Sequence, residues 1–213
     1  MCRFPLFETL SIIDGKVQNL QYHQQRFEQA TQEYFGCEPR FSLADILVVP
    51  EASQRGKVRC RIDYNATEFE LKFFIYSPKK VERFRLVEVE NWDYHLKFSD
   101  RKRFDLLPIL QNEEVIILNN GYVSDCSIGN LLFLKQGIWY SPQHYLLKGT
   151  QLSKLLDEGK VVLAKIAKQD LHQYEKIMLI KLLIPLRNQG HCLARKFIFV
   201  ILIENPKKML ATG

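Results

Sequence analysis

The strongest constraint on what this 213-residue chain folds into is the way its apolar, β-branched stretches are cut short by turn residues. Residues Leu6 to Ile13 read LFETLSII, Asp14-Gly15 follows, and the apolar pattern resumes over Val17 to Leu20. Asp-Gly between two such runs suits the left-handed centre of a tight hairpin, so the chain is expected to open as a β-hairpin. The pattern recurs. Lys57 to Tyr64 and Glu68 to Tyr76 alternate as a strand pair joined near Asn65. Phe84 to Val89, Glu114 to Leu118, Val123 to Asp125, Asn130 to Lys135 and Ile138 to Tyr140 are further expected strands, with a turn over Asn119 to Gly121. Helical spacing is rarer. Phe27, Ala30 and Tyr34 predict a helix running from Tyr22 to a stop at Gly36, Leu43 to Val49 predicts a second, and a third starts near Gln151. Many short strands with few helices make an α+β or α/β fold. The polar, turn-prone Ser77-Pro78-Lys79-Lys80 marks a linker between two domains. A small α+β domain is expected over residues 1–80, and a larger β-rich α/β domain, carrying Lys97, over residues 81–213.

Charge and cysteine usage narrow the function class. The chain carries 30 basic and 24 acidic residues, and a net +6 suits an anionic small molecule as well as nucleic acid. No nucleic-acid motif accompanies the basic cluster in YHLKFSDRKRF (Tyr94 to Phe104), so a nucleic-acid partner is not expected. The longest apolar run, Phe197 to Ile203, falls far short of the roughly 20 residues that span a bilayer, so no membrane span is expected. The first residues, MCRFPLFETL, lack the pattern of an export signal, and a cytoplasmic location is expected. Cys2, Cys37, Cys60, Cys126 and Cys192 are odd in number and contain no CxxC pair. They read as free thiols, with neither a disulfide framework nor a metal site.

Three stretches hold candidate chemistry, each with two readings. In SPQHYLLKGTQLSKLL, Gly149, Thr150 and Gln151 open a helix, either as an ordinary cap or as an anion site built from unpaired backbone amides. Asp125, at the end of GYVSD, is either a solvated turn acid or an inward carboxylate that needs a cationic partner. Arg26, beside the apolar Phe27, either snorkels at the surface or reaches a phosphate with its planar fork of donors.

Taken in order, FETL…DGKV…YHQQR, HLKFSDR, GYVSDCSIGNLLF and LLKGT resemble the class IV, fold-type IV pyridoxal-phosphate enzymes, from about Phe4 to Leu186. This family holds branched-chain and D-amino-acid aminotransferases and aminodeoxychorismate lyase, and the lyase branch is the most similar. The resemblance implies pyridoxal 5'-phosphate as cofactor, a small-molecule amine as substrate and a homodimer. It matches Lys97 to the lysine that forms a Schiff base with the cofactor aldehyde, chemistry open to an amine whose neutral form is accessible. It matches Asp125 to the family's glutamate opposite the pyridine nitrogen, one methylene shorter here. Arg26, Gly149, Thr150 and Gln151 fall on the phosphate-binding positions, and Asn130 on a positioning asparagine. Lys181 stands where relatives commonly carry Asn or Thr near the phosphate, a role an ammonium also fills. The implied activity is removal of pyruvate from 4-amino-4-deoxychorismate to give 4-aminobenzoate, a step of folate biosynthesis. The alternatives are a class IV aminotransferase of branched-chain or D-amino acids and a non-catalytic cofactor-binding member. Relatives usually carry an extra strand pair before the segment matching PLFETL, so a shortened N-terminus is expected. After Leu186 the chain leaves the family pattern, as a final strand with a basic tail or as a diverged end.

Overall fold

Both central residues of the first turn are left-handed, Asp14 at φ 46° and Gly15 at φ 75°, and they close β1 (Leu6–Ile13) onto β2 (Lys16–Val17). A computed structural model describes residues 2–181, together with the backbone of Ile201 and Leu202. Beyond β1 the sheet continues through β3 (Lys57–Tyr64) to β4 (Phe69–Ile75), all antiparallel in the order β2-β1-β3-β4. Pairing of Leu10 with Cys60 and of Ile12 with Val58 puts the even-numbered residues of both strands on one face. That face is covered by α1 (Leu20–Phe35), whose His23, Phe27, Ala30 and Thr31 are buried at helical spacing. Gly36, left-handed at φ 71°, ends α1 where the sequence places the stop. The short α2 (Leu43–Ile46) is capped by Ser42, whose hydroxyl accepts from Asp45 N, and it contributes Leu43. Leu6, Leu10, Ile12, Phe27, Ala30, Leu43, Val58, Cys60, Ile62, Tyr64 and Leu96 form the core of this unit. Each fully buried aliphatic side chain here is worth about 1.5–3 kcal/mol.

The chain divides into two compact units. The first runs through Pro78 and also takes in the returning segment Tyr94–Arg101; the second holds Lys79–Asp93 and the described chain from Lys102. Lys97, expected in the second domain, therefore packs in the first. The cause is backbone pairing that local sequence does not reveal. Leu6 bridges Phe98, Phe7 N donates to Lys97 O at 3.0 Å, Ser99 N donates to Pro5 O at 2.7 Å, and Leu96 enters the first core.

In the second unit β5 (Arg83–Val89) lies parallel to β6 (Glu113–Asn119), and the Asn120-Gly121 turn returns β6 into β7 (Tyr122–Val123). A four-residue helix, α3 (Lys102–Asp105), precedes β6. A second sheet follows the order β10-β9-β8-β11, from β8 (Asn130–Lys135), β9 (Ile138–Pro142), β10 (Val162–Ala164) and β11 (Lys176–Ile180). Helix α4 (Thr150–Asp157) lies between β9 and β10 in sequence. β8 is buried on both faces. Leu131 and Phe133 join a core with Leu86, Ile116, Leu118 and Ile177, while Leu132 joins Leu152, Leu155 and Ile180 beneath α4. The backbone of β12 (Ile201–Leu202) pairs parallel with β5; the rest of the tail, including Cys192, lies outside the described residues.

Candidate active site

In the core-facing row of β1, Glu8 stands among Leu6, Leu10 and Ile12, and its side chain is 1% exposed. A carboxylate there needs partners, and α1 delivers two from one face. Arg26 donates Nε–H to Oε1 at 2.8 Å and Nη2–H to Oε2 at 2.6 Å, while His23 Nδ1 lies 2.7 Å from Oε2. Burial pushes the Glu8 carboxyl up, but Arg26 and His23 outweigh it and hold the group below the usual carboxylate range. His23 is pulled down by burial against the pull of Glu8. It is therefore neutral near pH 7 and donates from Nδ1 to the carboxylate. Arg26 is thus neither a surface arginine nor an unengaged one; its fork clasps Glu8 on one side.

Lys97 lies beside this cluster, half-buried, with Nζ 4.7 Å from the centroid of the Phe7 ring. Among the described residues Nζ makes no hydrogen bond or ion pair. Burial, then the Arg26 charge, pull its ammonium down to about 7, with Glu8 opposing and Arg101 and Arg61 adding to the fall. A large share of Lys97 is consequently the neutral, nucleophilic amine near pH 7. The other cations of YHLKFSDRKRF separate in space: Arg101 turns to Tyr94, whereas Lys102 and Arg103 are exposed on α3 and His95 pairs with Glu33 at 2.8 Å.

In the second unit Asp125 is 5% exposed and accepts three hydrogen bonds. Asn130 Nδ2 donates to Oδ1 at 2.7 Å, and Leu146 N and Leu147 N donate to Oδ2 at 2.9 and 3.0 Å. Burial nonetheless dominates and pushes the carboxyl up to about 7. Asn130 closes the arrangement: its Nδ2 also donates to Leu147 O at 2.9 Å, and its Oδ1 accepts from Gly149 N at 3.1 Å. Asp125 and Asn130 together therefore fix the loop that leads into α4. Gly149 is needed there for closeness rather than for an unusual backbone: φ is −69°, but an added Cβ would lie 2.2 Å from Asn130 Oδ1. Thr150, buried, and Gln151, half-buried, form the first turn of α4. Lys181 follows β11 directly after Ile180, which pairs with Asn130, so it emerges at the same end of β8.

Each candidate from the sequence thus has a defined place within its own unit: Lys97 and Arg26 in the first, and Asp125, Asn130, Gly149, Thr150, Gln151 and Lys181 in the second. Their chemistry fits a phosphorylated pyridine aldehyde. Lys97 offers a low-affinity amine, Asp125 a buried carboxylate with lone pairs for a ring N–H, and the Gly149 approach leaves a helix start without a side chain at its cap. Sequence reasoning missed Glu8 and His23. The signal was present, since a glutamate at the second of four alternating apolar positions in a strand is a buried acid awaiting a cation.

The family model described as amino-transferase class IV matches residues 109–186. An uncharacterised protein of Haemophilus influenzae is 40% identical over 181 residues, 83% of this chain and 96% of that protein. A crystal structure of a candidate 4-amino-4-deoxychorismate lyase from Haemophilus somnus is 40% identical with a TM-score of 0.80, covering 86% of this chain and 98% of that one. A hypothetical aminotransferase from Mycobacterium tuberculosis, in its PLP-bound form, is 17% identical with a TM-score of 0.71. It shares the fold over 97% of this chain and 86% of its own.

Proposed function

Because the chain belongs to the class IV aminotransferase family of enzymes, we propose that it is a lyase that removes pyruvate from 4-amino-4-deoxychorismate, leaving 4-aminobenzoate. The family depends on pyridoxal phosphate. The observation that carries the reading is Lys97, an amine with its proton affinity brought to about 7 and no protein hydrogen bond among the described residues. The 40% identity to the Haemophilus somnus protein, along 98% of that chain, favours the lyase branch over an aminotransferase of branched-chain or D-amino acids.

When bound, the cofactor supplies an electron sink for the charge left on a substrate carbon that loses a proton. Lys97 is the amine that would hold the cofactor, and its Nζ would accept the proton that the substrate carbon loses. Asp125 would offer its carboxylate to the ring nitrogen, and a positive charge there would favour the ionised carboxylate against burial. Within the first unit Glu8 keeps Arg26 in orientation for an anion; within the second, the first-turn amides of α4, with Thr150 and Gln151, would offer donors to a phosphate. Lys181 adds charge to that anion and Asn130 sets the loop. The same family likeness supports a cytoplasmic homodimer, which light scattering checks.

The deciding experiment incubates the pyridoxal-phosphate-loaded protein with 4-amino-4-deoxychorismate and follows products by chromatography. Equimolar 4-aminobenzoate and pyruvate are expected. Keto-acid formation from branched-chain or D-amino acids, with no 4-aminobenzoate, would replace the lyase by the transaminase. No product from either substrate class would leave a cofactor-binding protein without turnover.

A further inference from the structure

Backbone pairing puts Lys97 in a row of side chains on the first sheet. Leu6 bridges Phe98 antiparallel and Phe7 N donates to Lys97 O at 3.0 Å, so Lys97 stands directly across from Phe7 on one side of β1. On the other side β3 sets Asp63 opposite Phe7 and Arg61 opposite Thr9. Directly opposed residues share a face, so Lys97, Phe7, Arg61 and Asp63 stand together on the face turned away from α1. The buried Phe7 ring is the floor between two cations: Arg61 Cζ lies 3.8 Å from its centroid and Lys97 Nζ 4.7 Å. Asp63 takes one edge of the guanidinium. Arg61 Nε–H donates to Oδ1 and Oδ2, both at 2.9 Å, and Nη2–H donates to Oδ1 at 2.6 Å. A guanidinium has five N–H donors, and the fork formed by Nη1 and the second Nη2–H makes no hydrogen bond among the described residues. The nearby cations are placed elsewhere, Lys72 on Glu70 at 2.8 Å and Arg59 over the Phe74 ring at 4.6 Å.

We propose that Arg61 determines which amines the site accepts: its open fork binds the carboxylate at the far end of a substrate whose amino group reaches Lys97 and whose unsaturated ring lies along Phe7. The inference rests on the reading of Lys97 as the reactive lysine. In 4-amino-4-deoxychorismate the amine and the ring carboxylate stand at opposite ends of a six-membered ring, and Lys97 and Arg61 reach Phe7 from strands on opposite sides of it. Asp63 acts twice. It holds the fork in one orientation, so less freedom is lost when an anion docks, and it already balances one positive charge. What remains suits a planar monoanion with two oxygens better than a phosphate dianion.

Isothermal titration calorimetry of the pyridoxal-phosphate-loaded full chain with 4-aminobenzoate, and with its uncharged analogue 4-aminobenzamide, reads the carboxylate contact without turnover. The parent protein should bind the acid at least about tenfold more tightly than the amide. Arg61→Gln, whose amide still donates to Asp63, should lose that preference while binding the amide as before. Arg61→Lys, which keeps the charge but not the fork, should retain only part of it. Equal binding of the two ligands by the parent, or binding of neither, overturns the proposal, as does an Arg61→Gln protein that keeps the preference or weakens both ligands alike. Should Arg61→Gln fail to fold, Arg61→Lys decides, and an undiminished preference there overturns it. Each protein is also reduced with borohydride and mapped. A pyridoxyl group on Lys97 without a carboxylate preference refutes the role of Arg61 alone, whereas a label elsewhere overturns both this inference and the reading beneath it.

Discussion

Asp125 shows how much one residue is asked to do before any cofactor arrives. Its two oxygens accept from Asn130, Leu146 and Leu147, and Asn130 is locked in orientation by Gly149 N and Leu147 O. In Asp125→Asn one oxygen becomes an NH2 group, which must oppose either the Asn130 amide donor or the two backbone donors. Turning Asn130 over does not help, since both of its other bonds would break. The variant is expected to lose about 1–3 kcal/mol in denaturant unfolding of the cofactor-free protein, the cost of a buried donor left unmade. Asp125→Glu keeps every acceptor and should lose less. The pH dependence has a definite sign. Folding raises this carboxyl to about 7, so the folded chain binds the proton more tightly than the unfolded one, and stability falls as pH rises from about 4 to 7. That part of the slope disappears in the Asn variant. At this scale GYVSD left Asp125 open between a solvated turn acid and an inward one, the family resemblance implied the inward role, and neither announced its service as a loop brace. Its two backbone donors come from residues 21 and 22 positions away, and nothing local announces them. Glu8 is the converse, a buried acid legible in the alternation of β1 and passed over because the strand was read for its apolar members alone.

At the scale of elements, the strands with clean turn chemistry were the legible ones. Asp14-Gly15 and Asn120-Gly121 adopt the positive φ values that their residue types favour, and β1, β3, β6 and β8 lie where alternation and β-branching put them. The short α3 and β10 were not anticipated. One is a single helical turn in a basic run, and the other an edge strand with Val162 and Leu163 exposed, so neither carries a periodic signal. At the start of α4 the sequence left Gly149 open between an ordinary cap and an anion site, and the structure shows a different need for it, the close approach of Asn130 Oδ1. Gly149→Ala tests it without any backbone complication, since a φ of −69° is open to alanine. The added methyl must displace Asn130, which is held at three points. Expected are a stability loss of about 1–3 kcal/mol by thermal unfolding and weaker uptake of pyridoxal phosphate by absorbance titration. An Ala variant that melts and binds like the parent would show that α4 tolerates a looser entry.

For the whole molecule, the expected class IV fold is found: mixed α/β architecture, few helices and several small sheets, shared with the fold-type IV structures. What composition and turn signals could not supply is the return of Tyr94–Arg101 to the first unit, because the contacts that recruit it are backbone pairings 90 to 94 residues distant in sequence. That return places the amine next to a clasped Arg26–Glu8–His23 cluster, and burial together with the surrounding cations gives Lys97 a large neutral share near pH 7. The central claim, that Lys97 is the residue joined to the cofactor, is tested most directly by loading the protein with pyridoxal phosphate, reducing it with borohydride and mapping the peptides. The account predicts a pyridoxyl group on Lys97, lost in Lys97→Ala; a label on Lys148 or Lys181 with Lys97 unmodified would contradict it.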